Sequence, residues 1–146
     1  MEQVTLFTVG YEGRTQDELL KLLETAGVTI VVDLRLTPIS RKPGLSKNRL
    51  ADGLRRSRID YVHLPELGNP RDNREGFRKG EPRSRARFKS QMTAPQARNA
   101  IEELCSRTTT QRVALLCFER DAGCCHRGMV GDELVRHAPD LVIQHL

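Results

Sequence analysis

The first third of the chain alternates between short apolar runs and one amphipathic segment. Val4–Val9 is a β-branched run that ends at Gly10, and Val28–Leu34 is a second apolar run, so both predict buried strands. Between them, leucines recur at helical spacing after Thr15, and Thr15 with Glu18 matches the capping box of a helix start. A strand, a helix and a strand within roughly 30 residues predict a right-handed βαβ unit of a parallel sheet.

The same alternation continues toward the C-terminus. Apolar runs at Ile59–Leu64, Val113–Phe118 and Leu141–His145 predict three further strands. We expect helices between these strands, which begin near Ser46, at a second capping box over Thr93–Gln96, and near Cys125. The pattern predicts an α/β three-layer sandwich, in which a mostly parallel sheet of about five strands carries helices on both faces.

One long polar stretch interrupts this pattern. Residues 66–91 contain Gly68, Pro70, Gly76, Gly80 and Pro82 and few apolar positions, so they predict a flap, with a short helix near Arg85–Gln91. We expect the flap to belong to a single domain that covers residues 1–146. Ligands bind beyond the carboxyl ends of the strands in such sheets. That rule selects four clusters, which are Gly10–Gly13, Asp33–Arg41, Pro65–Asn69 and Cys117–Arg127.

Composition indicates the compartment and the state of the cysteines. No stretch of about 18 apolar residues occurs, so we expect no transmembrane helix and no membrane partner. The start, MEQVTLFTVG, lacks a basic region and a small-residue cleavage site, which favours a cytoplasmic protein. A reducing compartment and a sizeable core predict that the four cysteines (Cys105, Cys117, Cys124 and Cys125) are free thiols.

The charge of the chain is positive and unevenly distributed. The net charge is +5. Basic residues concentrate over Arg35–Arg58, where Asp52 is the only acid, and over Arg71–Arg98. Such surfaces attract phosphates and nucleic acids, although a solvated surface without a partner is an equal alternative. The predicted partner is therefore an anionic small molecule or a nucleic acid, and the sequence specifies neither a cofactor nor the oligomeric state.

The predicted strand ends carry a family resemblance. The chain resembles the bacterial and archaeal domain-of-unknown-function family 488, from about Leu6 to the terminal Val142–Leu146. The resemblance rests on TVGYEGRT (Thr8–Thr15), VDLRLTPISRKPGLSK (Val32–Lys47), IDYVHLPELG (Ile59–Gly68), LCFERD (Leu116–Asp121) and CHR (Cys125–Arg127). The resemblance implies membership of this family, which has no settled activity. The motif needs one cysteine before His-Arg, and adjacency to His126 favours Cys125 over Cys124.

A weaker, fold-level similarity connects the chain with rhodanese-like domains. Those domains also carry an Asp-x-Arg after an early strand and a cysteine at the end of a later strand. Here Cys117 and Arg127 are ten positions apart, so the loop is longer than the short cradle of a rhodanese or a cysteine-dependent phosphatase. The similarity therefore implies the fold and not the sulfur-transfer or phosphatase reaction.

The candidate site combines a thiol with cations. A helix start at Cys125–Arg127 offers free backbone N–H groups to an anion, and the Arg127 fork suits phosphate. The same position favours a reactive thiolate at Cys125, whereas Cys117 is either a second thiol or a buried core residue. The predicted anion-binding residues are Arg35, Ser40, Arg41, His126 and Arg127, and the predicted catalytic residues are Cys125, Asp33, Glu119 and Cys117.

Two carboxylates of the candidate site have alternative roles. Asp33 either orients Arg35 or performs acid–base work, and Glu119 either exchanges protons or pairs with an arginine. We predict no metal site, since no two ligands show a helical i, i+4 or C-x-x-C spacing. The three donors of Cys124, Cys125 and His126 also cannot turn easily to one ion.

Two functions remain open. The first is a small thiol-dependent enzyme with a basic anion or phosphate pocket at the strand ends, acting on a nucleotide or nucleic-acid-related substrate. The second is a nucleic-acid-binding module without catalysis, although an aromatic content of 4% leaves few platforms for base stacking.

Overall fold

The computed structural model describes residues 4–146 of the chain. In chain order the elements are β1 (Val4–Gly10), α1 (Gln16–Thr25), β2 (Ile30–Asp33), α2 (Lys47–Arg56), β3 (Asp60–His63), α3 (Arg71–Arg78), α4 (Pro82–Gln91), α5 (Pro95–Thr108), β4 (Val113–Cys117), α6 (Arg127–His137) and β5 (Leu141–His145). Short 3-10 turns at Pro65–Leu67 and Ala122–Cys124 follow β3 and β4. Among these residues, no helix has both the length and the apolar composition needed to cross a bilayer.

The five strands form one parallel sheet in the order β3-β2-β4-β1-β5. The register aligns the carboxyl ends of the three central strands, because Gly10 pairs with Cys117 and Asp33 pairs with Leu116. The predicted α/β class and parallel sheet of about five strands are thereby confirmed. The last residue of each central strand therefore lies at one edge.

Each central strand contributes apolar side chains to both faces of the sheet. In β2, Val32 faces the layer of α3 to α6, whereas Val31 faces the layer of α1 and α2. In β4, Leu115 and Leu116 divide between the same two layers. This pattern produces the continuous apolar runs of the sequence, since strands buried on both faces do not alternate with polar residues.

The predicted flap is a pair of helices instead of a loop, and the short helix expected near Arg85–Gln91 is confirmed as part of α4. Helices α3 and α4 pack on each other through Phe77 and Phe88, whose ring centroids lie 5.9 Å apart at an interplanar angle of 85°. Both rings are buried in the same core cluster as Leu67 and Met92. The segment is polar on average, but its two phenylalanines supply enough apolar surface to pack against the core. The segment therefore folds as part of the domain.

Helix starts differ in how well the sequence predicts them. The Thr15–Glu18 capping box of α1 is confirmed, with both reciprocal hydrogen bonds present. The second capping box is wrong, because α5 begins after Ala94 without a side-chain cap and the Thr93 hydroxyl donates to Ser90 O. Helix α6 begins at Arg127, two residues later than predicted. This shift turns the side chains before α6 toward the protein interior.

Candidate functional site

A crevice opens where β4 ends between β1 and β2. The helices after β1 and β2 cover one face of the sheet, whereas α6, which follows β4, covers the other. Neighbouring strands whose connections leave toward opposite faces create a crevice at their carboxyl ends. A cavity of about 330 Å³ lies there. Its walls include Tyr11, Arg35, Leu36, Thr37, Ile39, Ser40, Arg41, Lys42, Asn69, Arg74, Phe77, Arg78, Cys117, Phe118, Glu119, Cys124, Cys125 and His126.

The base of this pocket holds two buried cysteines. Cys117 ends β4, and the turn at Ala122–Cys124 brings Cys125 back against it, so that the two sulfurs form a disulfide. The prediction that all four cysteines are free thiols is therefore wrong for this pair, whereas Cys105 and Cys124 are free. A sequence separation of eight residues does not reveal that the intervening loop folds back onto the strand end.

His126 lies behind the cysteines and does not serve as a cation. Its Nε2 lies 3.0 Å from Leu34 O, which accepts only, so Nε2 carries the proton. Burial lowers the pKa of His126 to about 4, against the opposing effect of this hydrogen bond. The ring is therefore neutral at physiological pH, with its Nδ1 3.6 Å from Cys125 Sγ. The structure does not give His126 the charge that the predicted anion-binding role requires.

Arg127 is fully buried and does not line the pocket. It donates to Glu119 O, to Arg120 O at 3.0 Å and to Cys117 Sγ at 3.3 Å, and its Nε has no partner. Among residues 4–146 it forms no ion pair with a carboxylate. Burial lowers the pKa of Arg127 to about 10. Its fork therefore holds the loop after β4 and borders a sulfur, instead of facing the pocket as predicted.

Asp33 and Arg35 form a closed ion pair at the end of β2. Arg35 NH2 donates to Asp33 Oδ2 at 2.7 Å, and Nε donates to Asp33 Oδ1 at 2.9 Å. Tyr61 donates a further hydrogen bond to Asp33 at 2.6 Å, and Arg35 NH1 donates to Leu45 O at 2.6 Å. Burial lowers the pKa of Arg35, but Asp33 outweighs it and the pKa is raised. This geometry favours orientation over acid–base work for Asp33.

The free cations of the pocket come from two other segments. Ser40 lies in a loop closed by the Ser46 hydroxyl, which accepts from Ser40 N at 2.9 Å. The adjacent Arg41 and Lys42 line the pocket, and within residues 4–146 neither side chain has a hydrogen-bond or ion-pair partner. Arg74 and Arg78 line the opposite wall from α3. In the sequence, Arg74 and Arg78 belong to the basic run Arg71–Arg98, and no motif there marks them as site residues.

Glu119 connects the cysteine pair with α3. Its Oε2 lies 3.6 Å from Cys117 Sγ, and its Oε1 accepts from Arg78 NH2 at 3.5 Å. Gly10 permits this placement, because a Cβ there would collide with the Glu119 carbonyl. Seven of the predicted site residues line the pocket, and Asp33 and Arg127 support it from behind. The seven are Cys117, Cys125, Glu119, Ser40, Arg41, Arg35 and His126.

Fold and site together define an all-parallel α/β protein with a cationic, cysteine-based pocket at the carboxyl edge of its sheet. The model of the family described as "Domain of unknown function DUF488" matches residues 15–134. The chain belongs to this family, and the match is shorter at both ends than the sequence resemblance suggests. No curated protein and no solved structure matches the chain. The similarity to rhodanese-like domains therefore stays a prediction.

Proposed function

We propose that the protein is a small thiol-dependent enzyme that binds a phosphate-bearing, nucleotide-like substrate at the carboxyl edge of the sheet. The observation that carries this proposal is the union of cationic side chains and the Cys117–Cys125 pair in one cavity. A volume of about 330 Å³ falls within the range of small-molecule sites. The substrate is therefore a compact molecule and not a protein surface.

The anionic end of the substrate contacts the two basic walls. Arg41 and Lys42 on one wall have no hydrogen-bond or ion-pair partner for their side chains among residues 4–146, so no such partner there competes with a ligand. Arg78 on the other wall shares only a 3.5 Å contact with Glu119, and Arg74 uses its Nε toward Asn69 O at 3.3 Å. Guanidinium groups match phosphate oxygens in a planar, bidentate geometry. These four cations supply a phosphate clamp, with one side from the loop at Arg41–Lys42 and the other from α3.

The flat part of the substrate packs on the apolar rim. Phe118 is 36% exposed and packs edge-to-face on Tyr11, with ring centroids 5.4 Å apart. Ile39, 72% exposed, lies at the same pocket. Exposed aromatic and apolar side chains beside cations suit a ligand that carries both a ring and a phosphate. A nucleotide has this combination.

The reactive group is the thiolate of Cys125 in the reduced protein. Arg127 is a buried cation that pairs with no carboxylate in the described part of the chain, residues 4–146. Its NH1 donates to Cys117 Sγ, and its backbone N–H donates to Cys125 Sγ. A buried charge needs a counter-charge, which a thiolate provides. Cys125 Sγ forms a bond to an electrophilic atom of the bound substrate, and the leaving group departs with the electrons of the bond that breaks. Water then cleaves the bond between Cys125 Sγ and that atom, which regenerates the thiolate. Glu119, whose Oε2 lies 3.6 Å from the neighbouring Cys117 Sγ, takes the thiol proton, passes it to the leaving group and takes a proton from the attacking water.

Calorimetric titration of the reduced protein with adenosine monophosphate, in the presence of a chelator, tests the binding step. We expect saturable binding that weakens about tenfold or more in Arg74→Ala and Arg78→Ala, because each loses a charge-assisted hydrogen bond of about 1.5–3 kcal/mol. Arg56→Ala is the matched control, since Arg56 is an exposed arginine of α2 outside the pocket. Equal weakening by all three variants would mean that only net charge matters.

Turnover of a panel of nucleoside phosphates by the reduced protein tests the catalytic step. Cys125→Ser removes turnover and retains nucleotide binding, whereas Cys105→Ser, which changes a free cysteine of α5, leaves both unchanged. Full activity of Cys125→Ser, or of wild-type protein after alkylation, would contradict a thiol-dependent enzyme.

A second candidate is a nucleic-acid-binding module without catalysis. It is favoured by a basic surface that continues from Arg41 and Lys42 to Lys47 and Arg49 along the start of α2. Backbone-dominated binding weakens steeply with salt. A gel-shift titration with single-stranded and duplex DNA at increasing salt tests this candidate, and an absent or salt-insensitive shift would exclude it.

A further inference from the structure

Three potential metal ligands converge below the pocket. Ligand atoms of Cys117, Cys125 and His126 all lie within 4.8 Å of one another, and all three residues are buried. Cys117 comes from the end of β4, whereas the other two precede α6. From the sequence, the adjacent donors of Cys124, Cys125 and His126 cannot turn easily to one ion. The structure replaces Cys124 by a cysteine seven positions earlier in the chain, which removes the geometric objection to a shared ion.

His126 has the orientation of a metal ligand. Its Nε2–H donates to Leu34 O at 3.0 Å, so the unprotonated Nδ1 faces Cys125 Sγ at 3.6 Å. Histidines that bind metals commonly donate their second ring N–H to a backbone carbonyl in this way, which fixes the tautomer and the ring orientation. The unprotonated Nδ1 therefore lies beside the sulfur of Cys125, which is the arrangement that a shared ion requires.

The backbone positions of the two cysteines are wide for a disulfide. Their α-carbons lie 7.4 Å apart, whereas disulfides usually span about 4.4–6.8 Å. Two sulfurs that share a tetrahedral zinc ion lie roughly 3.8 Å apart, since each Zn–S bond is about 2.3 Å. The wider backbone separation therefore suits two thiolates around one ion.

The remaining contacts of the sulfurs also fit a bound ion. Cys117 Sγ accepts from Arg127 NH1 at 3.3 Å, and Cys125 Sγ accepts from Arg127 N at 3.5 Å. Such outer hydrogen bonds orient coordinating ligands. Cys117, Cys125 and His126 line the pocket, so a tetrahedral ion held by them has its fourth position toward that cavity. Three protein ligands and one open position are typical of catalytic zinc sites.

We propose that Cys117 Sγ, Cys125 Sγ and His126 Nδ1 bind one Zn²⁺ when the cysteines are reduced. A dithiol reductant breaks the S–S bond, transfers two electrons and two protons to the sulfurs, and becomes a disulfide itself. Binding of Zn²⁺ then releases the two thiol protons to water. Zinc is favoured over harder ions because thiolate and imidazole are the donors. The proposal shares Cys125 with the proposed function but uses neither Arg74 nor Arg78, so nucleotide binding in the presence of a chelator tests the proposed function separately.

The test measures metal content of the full chain. The protein is reduced with dithiothreitol, which is removed under argon, and is then mixed with Zn²⁺ and desalted. Elemental analysis gives one zinc per chain for the reduced protein and none for the oxidised protein. Co²⁺ in place of Zn²⁺ produces a thiolate-to-cobalt charge-transfer band in the wild-type chain, so this readout needs no variant. Bound Zn²⁺ also protects two cysteines from alkylation, as counted by mass spectrometry.

Variants assign the ligands. Cys117→Ser, Cys125→Ser and His126→Ala each lower zinc affinity by about 10-fold or more, whereas Cys105→Ser and Cys124→Ser bind zinc as the wild type does. Circular dichroism verifies that each variant is folded. Absence of stoichiometric zinc and of the cobalt band in the reduced wild type would overturn the proposal, as would equal binding by the oxidised protein. Nucleotide binding in the presence of chelator fails or succeeds independently of this result.

Discussion

The two buried arginines of the site, Arg35 and Arg127, have opposite surroundings. Arg35 has a carboxylate partner in Asp33, held by hydrogen bonds of 2.7–3.1 Å, and its remaining donor reaches a backbone carbonyl. Arg127 has two backbone carbonyls and the sulfur of Cys117, and its Nε has no partner. The charge of Arg35 is balanced by Asp33, whereas no carboxylate among residues 4–146 balances the charge of Arg127.

This difference gives the two arginines different roles: Arg35 holds the structure of the pocket, whereas Arg127 acts on the cysteines of the proposed reaction. The Asp33–Arg35 pair ties the end of β2 to Tyr61 of β3 and to the loop at Leu45, so it fixes the wall that carries Arg41. Arg127 keeps positive charge beside two sulfurs, where reduction to thiolates would complete its environment. A satisfied buried pair holds the framework, and an unsatisfied buried cation indicates a site whose charge changes.

The largest effect is expected when the complete pair is broken. Asp33→Ala leaves Arg35 buried without a carboxylate, which costs about 3–5 kcal/mol of the free energy of unfolding. Urea denaturation measures this loss. Asp52→Ala is the control, because Asp52 pairs with Arg55 at the surface and its loss costs less than about 1 kcal/mol. Equal costs for the two variants would contradict the structural role of Asp33.

A smaller loss of stability is expected at the second arginine. Arg127→Met removes a cation that has no carboxylate partner, so the oxidised protein loses only the hydrogen bonds to two carbonyls, at about 1–3 kcal/mol. In the reduced protein the same change slows alkylation of the pocket cysteines by about tenfold, because the thiolates lose their neighbouring charge. Peptide mass mapping after iodoacetamide measures the rate. A rate equal to that of the wild type would contradict the proposed counter-charge.

The smallest effect concerns Tyr61 and depends on pH. Burial, followed by the charge of Asp33, raises the pKa of Tyr61 in the folded protein. The unfolded chain therefore loses this proton at lower pH, near about 10. Stability from the Tyr61–Asp33 hydrogen bond is fully present below that pH and declines as pH rises above it. We expect Tyr61→Phe to cost about 1.5 kcal/mol at neutral pH. In urea denaturation at increasing pH, a constant difference from wild type would contradict the prediction.

The sheet could be predicted because its strands are buried on both faces. Continuous apolar runs such as Val113–Phe118 exist only where helices cover both sides, and the structure places β4 at Val113–Cys117. The α3–α4 pair could not be predicted in the same way. Phe77 and Phe88 are separated by charged residues, Gly80 and Pro82, so the apolar surface appears only when the two helices pack together.

The sequence indicates where the pocket lies better than it indicates what each residue does there. The strand-end rule selects Asp33 and Cys117, and the structure places both at the edge of the sheet where the cavity lies, with Cys117 in its wall. The rule could not show that α6 begins at Arg127, which buries both His126 and Arg127. Arg127 therefore does not line the pocket, and His126 lines it as a buried, neutral ring. Arg74 and Arg78 could not be predicted as site residues because helix α3, which carries them, could not be predicted from its polar sequence. The two arginines lie one helical turn apart, and this spacing indicates a shared wall only when Phe77 is known to be on the buried face of α3.

Backbone amide chemical-shift mapping of the reduced protein with adenosine monophosphate tests the central claim most directly. The account predicts perturbations that concentrate at residues 36–42, 74–78 and 117–126, which line the strand-end cavity. Helix α2 at Arg55–Arg56 and helix α5 lie outside that cavity and serve as internal references. Perturbations confined to those helices, or none at saturating nucleotide, would contradict a substrate pocket at the carboxyl edge of the sheet.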